Sequence, residues 1–495
     1  MAFCPTPTPT PSPGSSPTST SGPPADQPRG APMHVIVVGG GIAGLAAAHR
    51  LLAAGLRVTV LESSDRFGGK LRTGHVAGAR VDLGAESILA LRPEAVELAR
   101  AVGLDESLRP PAVTSAAIWT RGALRPMPQG HVMGVPATAA SLAGVLSDAG
   151  LAQIARDAEL PPLEVGEDAA VGELVAERMG HEVVDRLIEP LLGGVYAGDA
   201  YRISLRSAVP KLWEAAREHD SLLAAVRAVQ RQGAERAPGG PVFTGIDGGI
   251  GTLADAVAAD CRAKGASLET GVAVTGLRRT ARGFAAALGD GRSLAADGVV
   301  LATPAGAAAR LLAAEAPAAA RELAGVEYAS MAIVTLAFRR ADLGRLPRGS
   351  GFLVPAVDGR TIKAATFTSG KWDWAAAADP DLFVLRASIG RHGDDGPLGW
   401  DDADLIGAAL DDLVDAAGLP TKPVDALVTR WRDALPQYTV GHAARVARAR
   451  SFLASLPEVR LCGAAYDGVG IPACVAGATA AVTDLLRALP IAPAD

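Results

Sequence analysis

His34-Val-Ile-Val-Val-Gly39-Gly40-Gly41-Ile42-Ala43-Gly44 is the stretch that decides the fold. Five apolar or weakly polar residues predict a short buried parallel strand, and the Ala/Leu-rich run from Ile42 to Ala54 has helical spacing. Gly55 ends that helix, and Arg57-Val-Thr-Val-Leu-Glu62 reads as a second strand. A βαβ unit is thus complete within about 30 residues, with a G-x-G-x-x-G at its first turn. Gly39 permits the tight turn, Gly41 lets backbone approach a pyrophosphate, and Gly44 lets helix and strand pack closely. The phosphates belong on the helix N-terminus, where free N–H groups and the positive dipole end converge. Glu62, at the end of the second strand, is placed to accept hydrogen bonds from an adenosine ribose. The reading is a dinucleotide-binding α/β protein, with NAD and FAD both open at this point.

Outward from that unit, the chain has 495 residues, 49% of them hydrophobic and 20% charged. That is enough for two or three large cores and too apolar for a disordered protein. With 47 Lys+Arg against 53 Asp+Glu the net charge is -6, which argues against a nucleic-acid partner. Cys4, Cys261, Cys462 and Cys474 show no CxxC spacing and the eight histidines no HExxH, so neither a disulfide framework nor a metal site is expected, which suits a reducing cytoplasm. The longest uncharged stretches, 126–147 and 468–483, are respectively broken by Pro and Gly and too short, so no integral membrane segment is expected. Residues 1–32 hold ten prolines among Ser and Thr and read as a disordered leader with no catalytic role. Helical patterns dominate 92–235, strand-like runs return at 272–279, 298–303 and 331–338, and a last helix is expected from about 472 to 488.

The residues after Glu62 separate NAD from FAD. Glu62-Ser63-Ser-Asp-Arg66-Phe-Gly68-Gly69-Lys70-Leu-Arg72-Thr73 resembles the extended FAD signature of the flavin amine oxidase superfamily. Val299-Val-Leu-Ala-Thr303-Pro304 resembles the strand that closes the FAD domain there, and Gly271-Val272-Ala-Val274 the segment whose backbone meets the adenine. Three further segments narrow the family: Gly193-Gly194-Val195-Tyr196-Ala-Gly198-Asp199, Trp431-Arg-Asp-Ala-Leu-Pro436-Gln437-Tyr438-Thr-Val-Gly441-His442, and Ala465-Tyr466-Asp-Gly468-Val469-Gly470-Ile471-Pro472-Ala473-Cys474. Together these resemble the flavin-dependent porphyrinogen oxidases of haem biosynthesis, over about 33–490, with Ala473 departing from the usual acidic residue. Pro128-Gln-Gly130-His-Val-Met133-Gly134-Val135-Pro136 and Gly84-Ala85-Glu86-Ser87 are most similar to the Gram-positive-type coproporphyrinogen III oxidases.

The resemblance implies a Rossmann-like, glutathione-reductase-like FAD-binding domain from 33–100, 238–310 and 425–495, a helical domain over 101–237 and a mixed-sheet substrate domain over 311–424. It implies FAD as cofactor, held by Gly39, Gly40, Gly41, Ile42, Ala43, Gly44, Glu62, Ser63, Gly69, Lys70, Gly84, Ala85, Glu86, Ser87, Val274, Trp431, Val469, Gly470 and Ile471, with Val272 as alternate to Val274. Glu86 is the catalytic candidate, facing flavin and substrate cavity, and Arg92 is the candidate for a substrate propionate. The implied reaction is oxygen-using removal of six electrons from coproporphyrinogen III in three steps, hydride passing to flavin N5 and hydrogen peroxide leaving, so the protein supplies orientation and field more than acid–base groups. Protoporphyrinogen IX oxidase is the alternative. A flavin amine oxidase or desaturase and a non-catalytic porphyrin-handing flavoprotein are the readings from other classes. The expected partners are the porphyrinogen, oxygen and the downstream ferrochelatase, in the cytoplasm.

Overall fold

The structure is a computed structural model and describes residues 32–236 and 240–490. The predicted leader lies, up to residue 31, outside the described residues, as does the predicted boundary at 237. The quoted opening folds as read: strand His34–Val38 is buried at every position, helix Ile42–Ala53 comes next, and strand Arg57–Leu61 returns parallel to the first. These strands sit in a five-stranded parallel sheet ordered Ser267–Glu269, Arg57–Leu61, His34–Val38, Gly298–Leu301, Val459–Leu461. Because both faces of such a sheet are covered, its three central strands are buried almost throughout, without alternation. On one face helix Ile42–Ala53 packs against the last helix, Ile471–Ala488, in a core that includes Leu45, Ala47, Val257, Ala478 and Val482. Small Ala side chains on both helices allow their backbones to approach. The last helix has the length and composition of a membrane span, yet ten of its residues are buried, seven of them in this core.

A second, seven-stranded mixed sheet runs Asp425–Pro436, Tyr328–Arg339, Leu382–Ile389, Ile362–Thr366, Gly351–Leu353, Ala117–Thr120, Ala123–Pro126. The domain boundaries drawn from sequence cut this sheet at both ends. Ala117–Pro126 falls in the segment assigned to helices, and Asp425–Pro436 in the segment assigned to FAD. The physical reason is that the pieces at both ends join the sheet through distant chain: Ile118 of the hairpin Ala117–Pro126 pairs with Leu353, and Thr429 with Ile333, which local periodicity does not report. One face of the sheet packs on helix Asp402–Ala417 through Val334, Leu385, Ile362, Leu405 and Leu413. The third core is helical, built from Val171–Met179, a π-helical turn at Val184–Ile188 that runs into helix Glu189–Tyr196, and Leu222–Arg236.

Candidate functional site: a two-ended cofactor cradle under a charged roof

The fingerprint glycines divide by what a side chain would meet. Gly39 has φ +104°, and a Cβ there would lie 2.8 Å from the Ala302 carbonyl oxygen. At Gly44 a Cβ would overlap the Gly39 carbonyl oxygen outright. At Gly41 a Cβ would meet no atom within 4 Å. Two glycines are therefore consumed by packing, and the middle one keeps a surface open beside the helix terminus. No side chain caps helix Ile42–Ala53, so its first N–H groups are left for an anion. Ile42 and Ala43 are in the helix–helix core. Gly40 donates its N–H to Glu62 Oε2 at 2.7 Å, and Ser64 donates to Oε1 at 2.8 Å, which fixes the carboxylate beside the turn. Ser63 is exposed next to it. Gly68 donates to the Gly40 carbonyl at 2.8 Å, so its loop lies along the fingerprint, and Gly69 comes within 3.2 Å of the Gly41 Cα by its notional Cβ.

The C-terminal end supplies the other half. Gly463 lies against Ala43 of the fingerprint helix, its notional Cβ 3.9 Å from the Ala43 Cβ. Val469 packs on the helical core, and Gly470 begins helix Ile471–Ala488 with no side-chain cap. Two uncapped helix termini thus meet at one crevice, each aiming a positive dipole end into it. Burial lowers the pKa of the Lys70 ammonium, near Cys474 in the first turn of that second helix. Val272 and Gly271 use their N–H groups on the Glu62 and Ser64 carbonyls, whereas Val274 stays half-buried at the start of strand Val274–Thr280. Thr303 Oγ1, next to the Gly39 turn, is buried without a hydrogen-bond partner. An open cradle at Gly41, two free helix termini and an orphaned hydroxyl fit the phosphates and flavin of FAD.

Above the cradle lies segment Leu83–Ser87. Leu83 donates to the Arg72 carbonyl at 2.8 Å and Ala85 to that of Lys70 at 3.2 Å, so the segment is an added strand on the flavin loop. Gly84 is required because a Cβ would overlap the Lys70 carbonyl oxygen. Trp431 Nε1 donates to the Leu83 carbonyl at 2.7 Å, its ring against Gly84. Arg386 Nη1 donates to the carbonyls of Asp82 (2.7 Å) and Gly84 (2.9 Å), and its Nη2 pairs with Glu86. Glu86 also accepts from Trp372 Nε1 at 2.6 Å and lies 3.9 Å from Lys371 Nζ. Burial alone would raise this carboxyl; the Arg386 and Lys371 charges and the indole outweigh it and hold it below the ordinary range. Glu86 is thus an anchored, ionised carboxylate with its lone pairs engaged. Asp82, behind it, is pushed up to about 6 by burial, against the N–H groups of Ile250 and Gly251. Ser87 is half-buried beyond the clamp. Arg92 lies further out, its Nη2 2.6 Å from Glu94 Oε1, and both are partly open to water.

Arg386 marks the sheet face that roofs the site. In register beside it run Leu427, Thr335, Thr366 and Gly351; one row on, Thr429, Ile333, Ser388, Ala364 and Leu353. Side chains two apart share a face, so this second row continues the roof, and its far end reaches helix Glu189–Tyr196 where Leu353 Cδ2 faces Gly194. Segment 437–442 ties the pieces together. Gln437 donates to the Tyr196 carbonyl at 2.8 Å, the Tyr438 hydroxyl donates to the Ala464 carbonyl at 2.5 Å, and His442 Nε2 donates to that of Ala465 at 2.9 Å. The Tyr438 and His442 rings stack at 4.2 Å, and burial pushes His442 down to about 4, so it is neutral.

Sequence reasoning missed Arg386, Lys371 and Trp372. A signal existed for Arg386: it is the lone charge in the apolar run Leu382–Ile389, a pattern that requires a buried counter-ion. Glu86 and its partners are some 300 residues apart, so nothing local could pair them.

Fold and cradle together define a dinucleotide-type flavoprotein. The profile of flavin-containing amine oxidoreductases matches residues 42–486, and the chain belongs to that family, as a porphyrinogen-oxidase-like FAD-dependent oxidoreductase. Its relatives include coproporphyrinogen III oxidase of Mycobacterium tuberculosis, 39% identical over 470 residues that cover 92% of this chain and 98% of that protein. Protoporphyrinogen oxidase of Bos taurus is 31% identical, covering 92% and 99%. A solved structure, described as a protoporphyrinogen oxidase from Exiguobacterium sp. 255-15, superposes with TM-score 0.80 at 32% identity, covering 92% and 98%. The cofactor is FAD.

Proposed function

We infer that the protein oxidises coproporphyrinogen III to coproporphyrin III. The reading rests on whole-length identity to a coproporphyrinogen III oxidase, and the observation in the site that carries it is the state of Glu86. A carboxylate engaged by Arg386, Lys371 and Trp372 cannot take up a proton cheaply, so the site orients and polarises rather than relaying protons. When bound, FAD would supply the hydride-accepting chemistry, with oxygen as the final acceptor and hydrogen peroxide as the by-product. Gly39, Gly41 and the terminus at Ile42 hold the diphosphate, and Glu62 and Ser63 the ribose. Lys70, Gly69 and Gly84 to Ser87 line the flavin, with Val274 at the adenine. The helix terminus at Val469, Gly470 and Ile471 would favour negative charge on a bound flavin ring. The seven-stranded sheet is the substrate roof, and Arg92 meets a propionate at the mouth. Cytoplasmic placement and hand-over of product to a ferrochelatase complete the reading. Fluorescence assays with each porphyrinogen test it: coproporphyrin should form with oxygen consumption, and faster aromatisation of protoporphyrinogen IX would transfer the assignment to that substrate.

A further inference from the structure

One group in the roof is out of place by ordinary energetics. Lys363 is 5% exposed, and its Nζ is buried without a hydrogen-bond partner. It sits on strand Ile362–Thr366, whose neighbour Ile362 faces the opposite core with Leu405 and Leu413. The register slips between Ile362 and Ala364, so Lys363 is the extra residue of a bulge, and the ionisable groups nearest its amine are Arg391 and, on helix Glu189–Tyr196, Glu189. Those two are occupied with each other: Arg391 Nε lies 3.3 Å from Glu189 Oε1, Arg391 Nη2 donates to the Val354 carbonyl at 2.9 Å, and Glu189 Oε2 accepts from the Ala356 N–H at 3.0 Å. A cavity of about 500 Å³ opens over them, lined also by Gly198, Arg360, Thr361 and His392. Arg360 is tied to Asp412 and Asp415, and His392 to Glu327; Asp199 accepts from the Tyr201 N–H, and Asp394 is exposed to water. The pairing leaves the Lys363 ammonium without a counter-ion of its own. Burial pushes the Lys363 amine down to about 7, so without an anion beside it the amine is held only loosely protonated, a polar group that a methionine of similar reach would replace without loss. A π-helical turn directly before Glu189, a feature frequent at functional sites, adds to the local irregularity.

The geometry points to Lys363 and Arg391 as a carboxylate subsite at the far end of the roof, taking one propionate of the substrate and setting preference for a carboxylate-bearing macrocycle. This rests on the proposed porphyrinogen reading. Lys363 lies three residues along the strand from Thr366, the register partner of Arg386, which puts the subsite roughly 10 Å from the flavin-facing clamp. An incoming carboxylate would take the hydrogen bonds that Lys363 lacks and share the Arg391 charge.

The test uses the FAD-loaded full chain, wild type and Lys363→Met, with coproporphyrin III and its tetramethyl ester as probes followed by porphyrin fluorescence, and sodium phosphate as a plain anion. The wild type should bind the acid at least tenfold more tightly than the ester, and K363M should lose about tenfold for the acid and nothing for the ester, since one charge-assisted hydrogen bond is removed. KM for coproporphyrinogen III should rise by a similar factor with kcat within about twofold. The ligand-free Tm of K363M should match or exceed wild type. Equal loss for acid and ester, no loss, a fall in Tm that marks the amine as a structural partner of Glu189, or phosphate alone reproducing the coproporphyrin effect would each overturn the assignment. A wild type that oxidises no porphyrinogen sinks the parent reading instead.

Discussion

The cofactor cradle and the roof above it are built by opposite means. The cradle is backbone: glycine turns, helix termini and a carboxylate on neighbouring N–H groups, all within residues 39–70 plus one distant loop. The roof is side chain: Arg386, Lys371 and Trp372 converge on Glu86 from almost 300 residues away, inside a low-dielectric interior. A backbone site tolerates change wherever space is free and fails wherever a Cβ would collide. A side-chain site fails when one partner of a buried pair is removed, and can recover when both go.

The largest effect should separate the two kinds of glycine. Gly44→Ala drives a Cβ into the Gly39 carbonyl and should cost about 3 kcal/mol or more of overpacking, enough to prevent accumulation of folded protein. Gly41→Ala should leave the apoprotein Tm within about 2 °C of wild type while FAD affinity, measured by flavin fluorescence quenching, collapses. Equal destabilisation by both would end the distinction.

In the roof, Arg386→Met leaves Glu86 buried beside only Lys371 and Trp372 and should cost about 3–5 kcal/mol in urea unfolding, whereas R386M with Glu86→Leu should recover most of it. Additive losses would show that the pair is not a unit.

His442 gives a pH test. Its folded pKa of about 4 lies below the unfolded 6.5, so the unfolded chain binds the extra proton between them and stability falls as pH drops from 6.5 to 4, by up to about 3 kcal/mol. Asp82, raised to about 6, works in the opposite direction from pH 6 down to 3.8. The difference between wild type and His442→Gln isolates the histidine: the variant should lose the acid-side slope, and an unchanged slope would assign it elsewhere. Tyr438→Phe removes one hydrogen bond to Ala464 and should cost about 1 kcal/mol. Arg92→Ala, at a solvent-facing pair, should stay within about 1 kcal/mol in stability and act on KM.

The same contrast explains what could be read from the sequence. The turn at Gly39 to Gly44, the strand end before Glu62 and the helix start after Gly470 were legible because they depend on neighbours in the chain, and the strands and last helix fell close to their observed bounds. Glu86 was flagged for its position, but its clamp depends on where strand Leu382–Ile389 lands in space, which no local pattern encodes. Strands Ala117–Thr120 and Ala123–Pro126 form a local hairpin, but its place at the edge of the large sheet was hidden because Ala117–Thr120 joins Gly351–Leu353, more than 200 residues on.

The strand order has a consequence in time. Helix Ile471–Ala488 and strand Val459–Leu461 complete a crevice opened at His34, so contacts between the two ends of the folded chain must form before it can close. On a ribosome, the fingerprint emerges long before Val459 and waits for it with part of its apolar face uncovered, a slow, long-range assembly exposed to misfolding. A chain cut before Val459 keeps every glycine of the fingerprint and lacks the second helix terminus. Flavin colour therefore reports that synthesis has passed the start of helix Ile471–Ala488.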